Sequence, residues 1–312
     1  MSDPVSNMKN RFGLAGLFGP GGAASFSDHN WPKEPFFAHN LQTTLHSVFE
    51  LPFLQSLEAL LSTWPNIIQA HLPATADESS SIDVDAKDAR KLFANKMTLL
   101  FNNVHTLSTE LQNRLRAIAK DLGLPSSTHA RCMIYATPDG KGTAAHFDQN
   151  INFVIQLHGT KKWSLAPNQH VENPTERFTI GQPLDPELAS YSLAPMPLQM
   201  PIAGRQEIVL RPGSVLFVPR GWWHCTEATG EALALNFTFS QPTWVDLFTL
   251  ALRSRLSLSP AWRELADGVT SADKALRANA TGEFNDLLSE LVDDLPHWRA
   301  EDILASTEGE IE

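Results

Sequence analysis

Cysteine is nearly missing from this chain. Of 312 residues only Cys132 and Cys225 carry thiols, too few for a disulfide framework, so a reducing cytoplasm is the expected compartment. Also missing is any uninterrupted apolar run of about 18 residues, the length a bilayer-spanning helix needs, so no membrane contact is expected. Positive charge is scarce: Lys and Arg number 24 against 35 Asp and Glu, a net charge of −11. That balance excludes broad, sequence-independent attraction to nucleic acid or anionic membranes and leaves open only a local basic groove.

What is present suits a globular protein, since 42% of the residues are hydrophobic and the chain is long enough to bury a sizeable core. Near the start, Lys9 and Arg11 precede the apolar run from Phe12 to Phe18. The run faintly resembles a signal peptide, but Gly13, Gly16 and Gly19-Pro20-Gly21-Gly22 interrupt it. Residues 1–40 are therefore expected to form an extended or mobile arm.

Residues 41–125 read as a helical region. Leu41, Leu45, Val48 and Phe49 recur at three- and four-residue spacing, as do Leu54, Leu57, Leu60 and Leu61. The stretch Ala74 to Asp88, which contains Asp77-Glu78-Ser79-Ser80-Ser81, predicts an exposed loop, followed by a helix through Phe93, Met97 and Leu100. Thr109 with Gln112 predicts a capping box, and Gly123 the end of that helix.

After Pro125 the period changes to two. Residues 131–136, 150–157, 161–166, 206–210, 214–218, 224–228 and 231–240 read as short strands between Gly and Pro turns, with no helices between them, which indicates a sandwich or barrel over 126–242. The proline-rich stretch 167–205 has little periodicity and is expected to cross the barrel mouth rather than belong to its framework. Helical stripes return over 243–312, at Trp244, Leu247, Phe248, Ala251, Leu252 and Leu256 and again from Phe284 to Leu295. They need cover from the barrel or from a second copy of the chain.

His146-Phe147-Asp148 and His224 can offer one divalent metal two imidazoles and a carboxylate on a single face, leaving the opposite face open, as Fe(II) chemistry with a cosubstrate and oxygen requires. An HxD tripeptide alone is a weak signal. Alternation strengthens it, because His146, Asp148, Asn150, Asn152, Val154 and Gln156 share one strand parity while Phe147, Gln149, Ile151, Phe153, Ile155 and Leu157 share the other, apolar but for Gln149. A half-exposed strand with its polar side in water would alternate in the same way. The segment Pro212 to His224, a turn, an apolar strand and a second turn, can return an imidazole beside the HxD residues. Asn236 and Thr238 then repeat the alternation.

With its Thr143-Ala144-Ala145-His146-Phe147-Asp148 segment, Asn152, Gly159-Thr160-Lys161-Lys162-Trp163 and the Pro212-to-His224 run, the stretch from about 130 to 240 resembles the Jumonji-C or cupin-like Fe(II)- and 2-oxoglutarate-dependent oxygenases. Within them it is most similar to the protein hydroxylase branch typified by the asparaginyl hydroxylase of hypoxia-inducible factor. The resemblance implies a mainly β core with helices, a double-stranded β-helix flanked by N- and C-terminal helical regions. It implies a hydroxylase acting on a protein or peptide side chain, with Fe(II), 2-oxoglutarate and molecular oxygen as cofactors and succinate and carbon dioxide as coproducts. His146, Asp148 and His224 would hold the metal. By their offsets from His146, Thr143 and Lys161 would hold the far carboxylate of 2-oxoglutarate, Asn152 and Asn236 would line its pocket, and Tyr135 would add a phenol. Lys161 falls on the inward parity and Lys162 on the opposite one, while Trp163 either walls the pocket or fills core.

Trp31-Pro32-Lys33-Glu34-Pro35 is similar to the N-terminal region of bacterial cupin-like protein hydroxylases. About 70 residues after the barrel leave little room for the dimerisation and winged-helix regions of ribosomal oxygenases. Three readings therefore stay open: oxidation or demethylation of a small metabolite or other substrate, a metal-binding cupin acting as isomerase or ligand sensor, and a homodimer through the C-terminal helices.

Overall fold

A computed structural model of the chain describes residues 11–72, 80–309 and 311. Residues 1–10, including Lys9, and 73–79, which hold the first part of the expected 74–88 loop, lie outside them; the rest of that expected loop is instead a strand, Ser81–Val84, and the start of a helix at Ala86. The described residues divide into two compact units, one built from residues up to 124 with 128–240 and the C-terminal tip, the other from 125–127 and 241–310.

The first unit begins with helix α1, Leu14–His29, kinked where Gly19 takes φ 74° ahead of Pro20. Strand β1, Phe36–Ala38, follows, then helices α2, His46–Phe49, and α3, Leu57–Thr63. Strands β2, Ile68–His71, and β3, Ser81–Val84, lead into helix α4, Ala86–Ala94, strand β4, Thr98–Phe101, and helix α5, Thr109–Asp121. The 41–125 region is thus mixed rather than purely helical. The helix expected through Leu100 stops at Ala94 because Lys96 adopts φ 67°, which turns the chain into the fully buried β4. At α5 the N-cap is Ser108 and no side chain caps the helix, so the Thr109/Gln112 capping box does not form. Gly123 does end that helix, at φ 65°, with the Leu124 amide returning to the Ala119 carbonyl.

From residue 11 onward the expected mobile arm is instead built into the fold. Leu14, Leu17, Phe18 and Phe26 are buried. The Leu14 amide donates to Asp121 Oδ2 on α5 at 2.8 Å, capping α1 from 107 residues away. Buried Arg114 donates to the Gly16 carbonyl at 3.1 Å, to Glu110 at 3.0 Å and to Ser47 Oγ at 3.0 Å. A periodicity reading cannot see partners so distant in sequence.

The β core comprises β5, His129–Thr137; β6, His146–Phe147; β7, Ile151–Ala166; β8, Phe178–Thr179; β9, Gln206–Leu210; β10, Val215–Val218; and β11, Trp223–Ser240. Four of the expected short strands fuse into β7 and β11, which pair antiparallel along most of their length through an irregularity between Thr229 and Leu233. Gly159 sits opposite that bend at φ 66°, where a Cβ would fall 2.1 Å from the Glu231 carbonyl oxygen. On one side of the bend the order is β1-β10-β7-β11-β5-β4-β2-β3; on the other, β9, β7, β11, β6 and β8 are neighbours. The two long strands pass through both sheets, and the result is the double-stranded β-helix with helices around it.

The main apolar core lies outside the barrel. Ile151, Phe153, Ile155 and Leu157 of β7 join Leu235, Phe237 and Phe239 of β11 in one cluster with α1, α3 and α5. Complete burial of such a side chain contributes about 1.5–3 kcal/mol, so this layer anchors the sheet and frees its other face for polar groups. The stretch 167–205 departs from expectation by adding framework: β8 pairs with β6, placing Thr179 opposite His146. It also supplies the short helix α6, Pro186–Ser190.

The second unit contains helices α7, Trp244–Leu256, α8, Lys274–Asp294, and α9, Ala300–Ala305. A Thr243/Asp246 capping box starts α7. No residue of these three helices is buried.

Candidate metal and cosubstrate site

His146 and His224 are cross-strand partners on β6 and β11, their rings 4.0 Å apart. Asp148 follows β6 and turns back toward both: its Oδ1 is 3.8 Å from His146 Nε2 and its Oδ2 3.6 Å from His224 Nε2. Each histidine has its Nδ1 within hydrogen-bond reach of a backbone carbonyl, Ala144 at 2.7 Å and Trp222 at 2.9 Å. A carbonyl only accepts, so Nδ1 carries the proton and Nε2 offers its lone pair toward the centre.

These donors suit a divalent ion. The three ligand atoms lie within 4.8 Å of one another, and donors held about 2.0–2.2 Å from one ion stand at most about 4.4 Å apart, which both histidine-to-carboxylate separations satisfy. Two nitrogens and a carboxylate oxygen on one side leave room opposite for further ligands.

Asp148 is itself held. Asn152 Nδ2 donates to its Oδ2 at 3.2 Å and Arg177 Nη1 to its Oδ1 at 3.3 Å. Asn152 in turn accepts from Thr238 at 2.6 Å. Trp163 stacks against His224 at 5.8 Å and 22°, and it both walls the pocket and packs with Leu165 and Ile208 inside the barrel.

A cavity of about 150 Å3 opens onto this centre, and Tyr135, Thr143, Asn152, Lys161 and Asn236 all line it with the triad. Lys161 Nζ is buried and donates to Thr137 Oγ1 at 2.8 Å. No carboxylate among the described residues pairs with it, and burial alone lowers its pKa to about 8. Lys162 points the other way, 3.3 Å from Glu227. The Thr143 amide donates to Thr226 Oγ1 at 3.0 Å, and the two hydroxyls are 3.4 Å apart. Asn236 Oδ1 and Trp163 Nε1 are buried without hydrogen-bond partners. Buried polar groups are normally satisfied, so these orphans mark a wall shaped for a ligand.

Sequence reasoning missed Thr137, Thr226, Arg131 and Arg177. Arg131 and Thr137 share the parity of Tyr135 on β5, so the same alternation could have found them. Arg177 lies in the aperiodic, proline-rich stretch and gave no signal.

The JmjC domain family matches this chain over residues 105–247. This segment is a JmjC domain. It contains the triad, Lys161 and all the strands of the β core. A Bacillus subtilis (strain 168) protein, YxbC, is 29% identical over 307 residues, covering 96% of this chain and 92% of its own length. Ribosomal oxygenase 1 of Gallus gallus is 24% identical across 78% of this chain, which spans only 39% of that protein. Among solved structures, the Escherichia coli ribosomal oxygenase YcfD in complex with cobalt and 2-oxoglutarate superposes with a TM-score of 0.52 at 16% identity, covering 93% of this chain and 72% of that one. At that identity the likeness speaks for the fold of the JmjC domain.

Proposed function

We propose that the chain is an Fe(II)- and 2-oxoglutarate-dependent oxygenase that hydroxylates a side chain of a protein or peptide. The observation that carries this is one cavity holding both a three-donor metal face and an isolated buried ammonium, Lys161. His146, Asp148 and His224 would hold the iron; Lys161, with Thr143, would bind the far carboxylate of 2-oxoglutarate, and a metal-binding cupin that uses no dicarboxylate has no need of that pair. Asn152, Asn236 and Tyr135 would line the cosubstrate's flanks.

Bound Fe(II) would supply the oxidation, in which one atom of O2 enters a substrate C–H bond and the other converts 2-oxoglutarate to succinate and carbon dioxide. This chain's residues do the positioning. Lys161 neutralises one carboxylate, the two Nδ1 protons fix both imidazoles, and the wall around Trp163 limits the water around the centre. A protein or peptide substrate is supported by the relative named Ribosomal oxygenase 1.

Both cysteines are free thiols, which supports a cytoplasmic enzyme, and no described helix is long and apolar enough to cross a membrane. The second unit supports a homodimer: its helices bury nothing, while Trp244, Val245, Phe248, Leu250 and Val292 are exposed, and a region without a core needs cover. Sedimentation of the purified chain as a monomer at micromolar concentration would remove the dimer from this reading.

The deciding experiment is anaerobic titration with Fe(II) and then 2-oxoglutarate, followed by visible absorbance. A metal-to-ligand charge-transfer band is expected. Iron-loaded protein that gives no band rejects the oxygenase.

A further inference from the structure

Besides Lys161, two arginines line the pocket, Arg131 and Arg177. Arg131 lies on the inward parity of β5 with Met133, Tyr135 and Thr137, and its side chain lines the cavity. It is half-buried, its Nε is enclosed without a hydrogen-bond partner, and it makes no ion pair with any described residue.

Its place along the strand decides what it can reach. Thr137, the partner of Lys161, stands opposite Ala232 beside the barrel's bend, whereas Arg131 stands opposite Thr238. Six residues of extended strand separate the two positions, about 20 Å of backbone. On the oxygenase reading a 2-oxoglutarate held at Lys161 by one carboxylate has its other end committed to the metal, and Arg131 stands well along the strand from that clamp, which leaves Arg131 for the other reactant.

Charge gives the chemistry of that reactant. Lys161, Arg131 and Arg177 line the pocket against one carboxylate, Asp148. A divalent ion and a dianionic cosubstrate cancel each other, so the loaded pocket keeps its positive excess, in a chain whose net charge is −11. Arg177 is already engaged with Asp148, while the planar fork of Arg131 has its donors to give, and a carboxylate matches that fork with two parallel hydrogen bonds.

We propose that Arg131 selects the substrate by binding a carboxylate on it, an Asp or Glu side chain or a peptide C-terminus close to the oxidised residue. The inference rests on the oxygenase reading above.

The test uses the full-length protein loaded with Mn(II) and 2-oxoglutarate, and three pools of synthetic peptides. The first pool is rich in Asp and Glu, the second replaces each by Asn or Gln, and the third amidates the C-termini. Binding at least about tenfold tighter to the first pool than to the second is expected for a side-chain carboxylate; loss in the third pool alone assigns the chain terminus. Arg131→Gln should abolish the preference and Arg131→Glu reverse it, while Arg131→Lys should restore part of it.

Equal binding of the first pool to the second and third, or binding of no pool, overturns the proposal. So does a loss of 2-oxoglutarate affinity in Arg131→Gln as large as that in Lys161→Met, which would place Arg131 in the cosubstrate site. Failure of the wild-type protein to bind 2-oxoglutarate at all would instead reject the oxygenase reading, so the two failures are separable.

Discussion

His146 and His224 stand directly opposite each other on β6 and β11, with ring centroids 4.0 Å apart, although 77 residues lie between them in the chain. Strand pairing fixes the two Nε2 atoms toward one point before any ligand arrives, and Asp148 completes the face.

Removing one member should therefore abolish metal binding rather than distort it. His146→Ala and Asp148→Ala are expected to lose more than about 100-fold in Mn(II) affinity, read by electron paramagnetic resonance of free Mn(II), with succinate production lost alongside. Full succinate production by metal-stripped His146→Ala would contradict the assignment.

Asp148 depends on its own supports. Asn152→Ala and Arg177→Met should each weaken metal affinity by about 10- to 100-fold, the usual cost of losing a group that orients a ligand. Unchanged affinity in both variants would mean that the 3.2 and 3.3 Å contacts are incidental.

Lys161 gives a pH signature. Its folded pKa, about 8, lies below the ordinary 10.5 because burial disfavours the ammonium. A dicarboxylate needs that ammonium, so 2-oxoglutarate affinity should be flat below pH 8 and fall about tenfold per unit as pH rises above it. Calorimetry in buffers of different ionisation enthalpy should show proton uptake on binding in that range.

For the cosubstrate-free protein the sign is opposite. The unfolded chain binds the Lys161 proton more tightly, so the penalty is complete below pH 8 and is relieved as pH rises from 8 toward 10.5. Lys161→Met should accordingly leave melting temperature unchanged or raised at pH 7 while removing 2-oxoglutarate binding. A lower melting temperature would show that the lysine serves packing.

The docking of α1 makes a separate stability prediction. Asp121→Ala removes the cap on Leu14 and should cost about 1 kcal/mol; Arg114→Met removes the bonds to Gly16, Glu110 and Ser47, leaving Glu110 with Ser47 and Arg11, and should cost about 1–3 kcal/mol. Urea denaturation measures both, and no change in either would mean that α1 does not contribute to the cooperative unit.

Strand alternation was legible in the sequence because its period is local: Asn152, Asn236 and Lys161 could be assigned to a face, whereas pairing Thr143 with Lys161 as a proposed carboxylate clamp came only from the family resemblance. The strands' existence followed from the same pattern, but the fusion of neighbouring segments into β7 and β11 did not, since Gly159 could mark either a turn or a bend.

The sequence by itself thus determined which side chains were available and which shared a strand face. Whether the polar face met water or a cavity depended on Phe153, Phe237 and Phe239 finding cover from helices far away in the chain. Tertiary structure also decided that residues 11–40 pack into the fold, that Arg177 reaches Asp148 from an aperiodic loop, and that Arg131 and Lys161 line one cavity. Those relations join residues tens of positions apart, and long-range contacts of that kind leave no periodic trace in the chain.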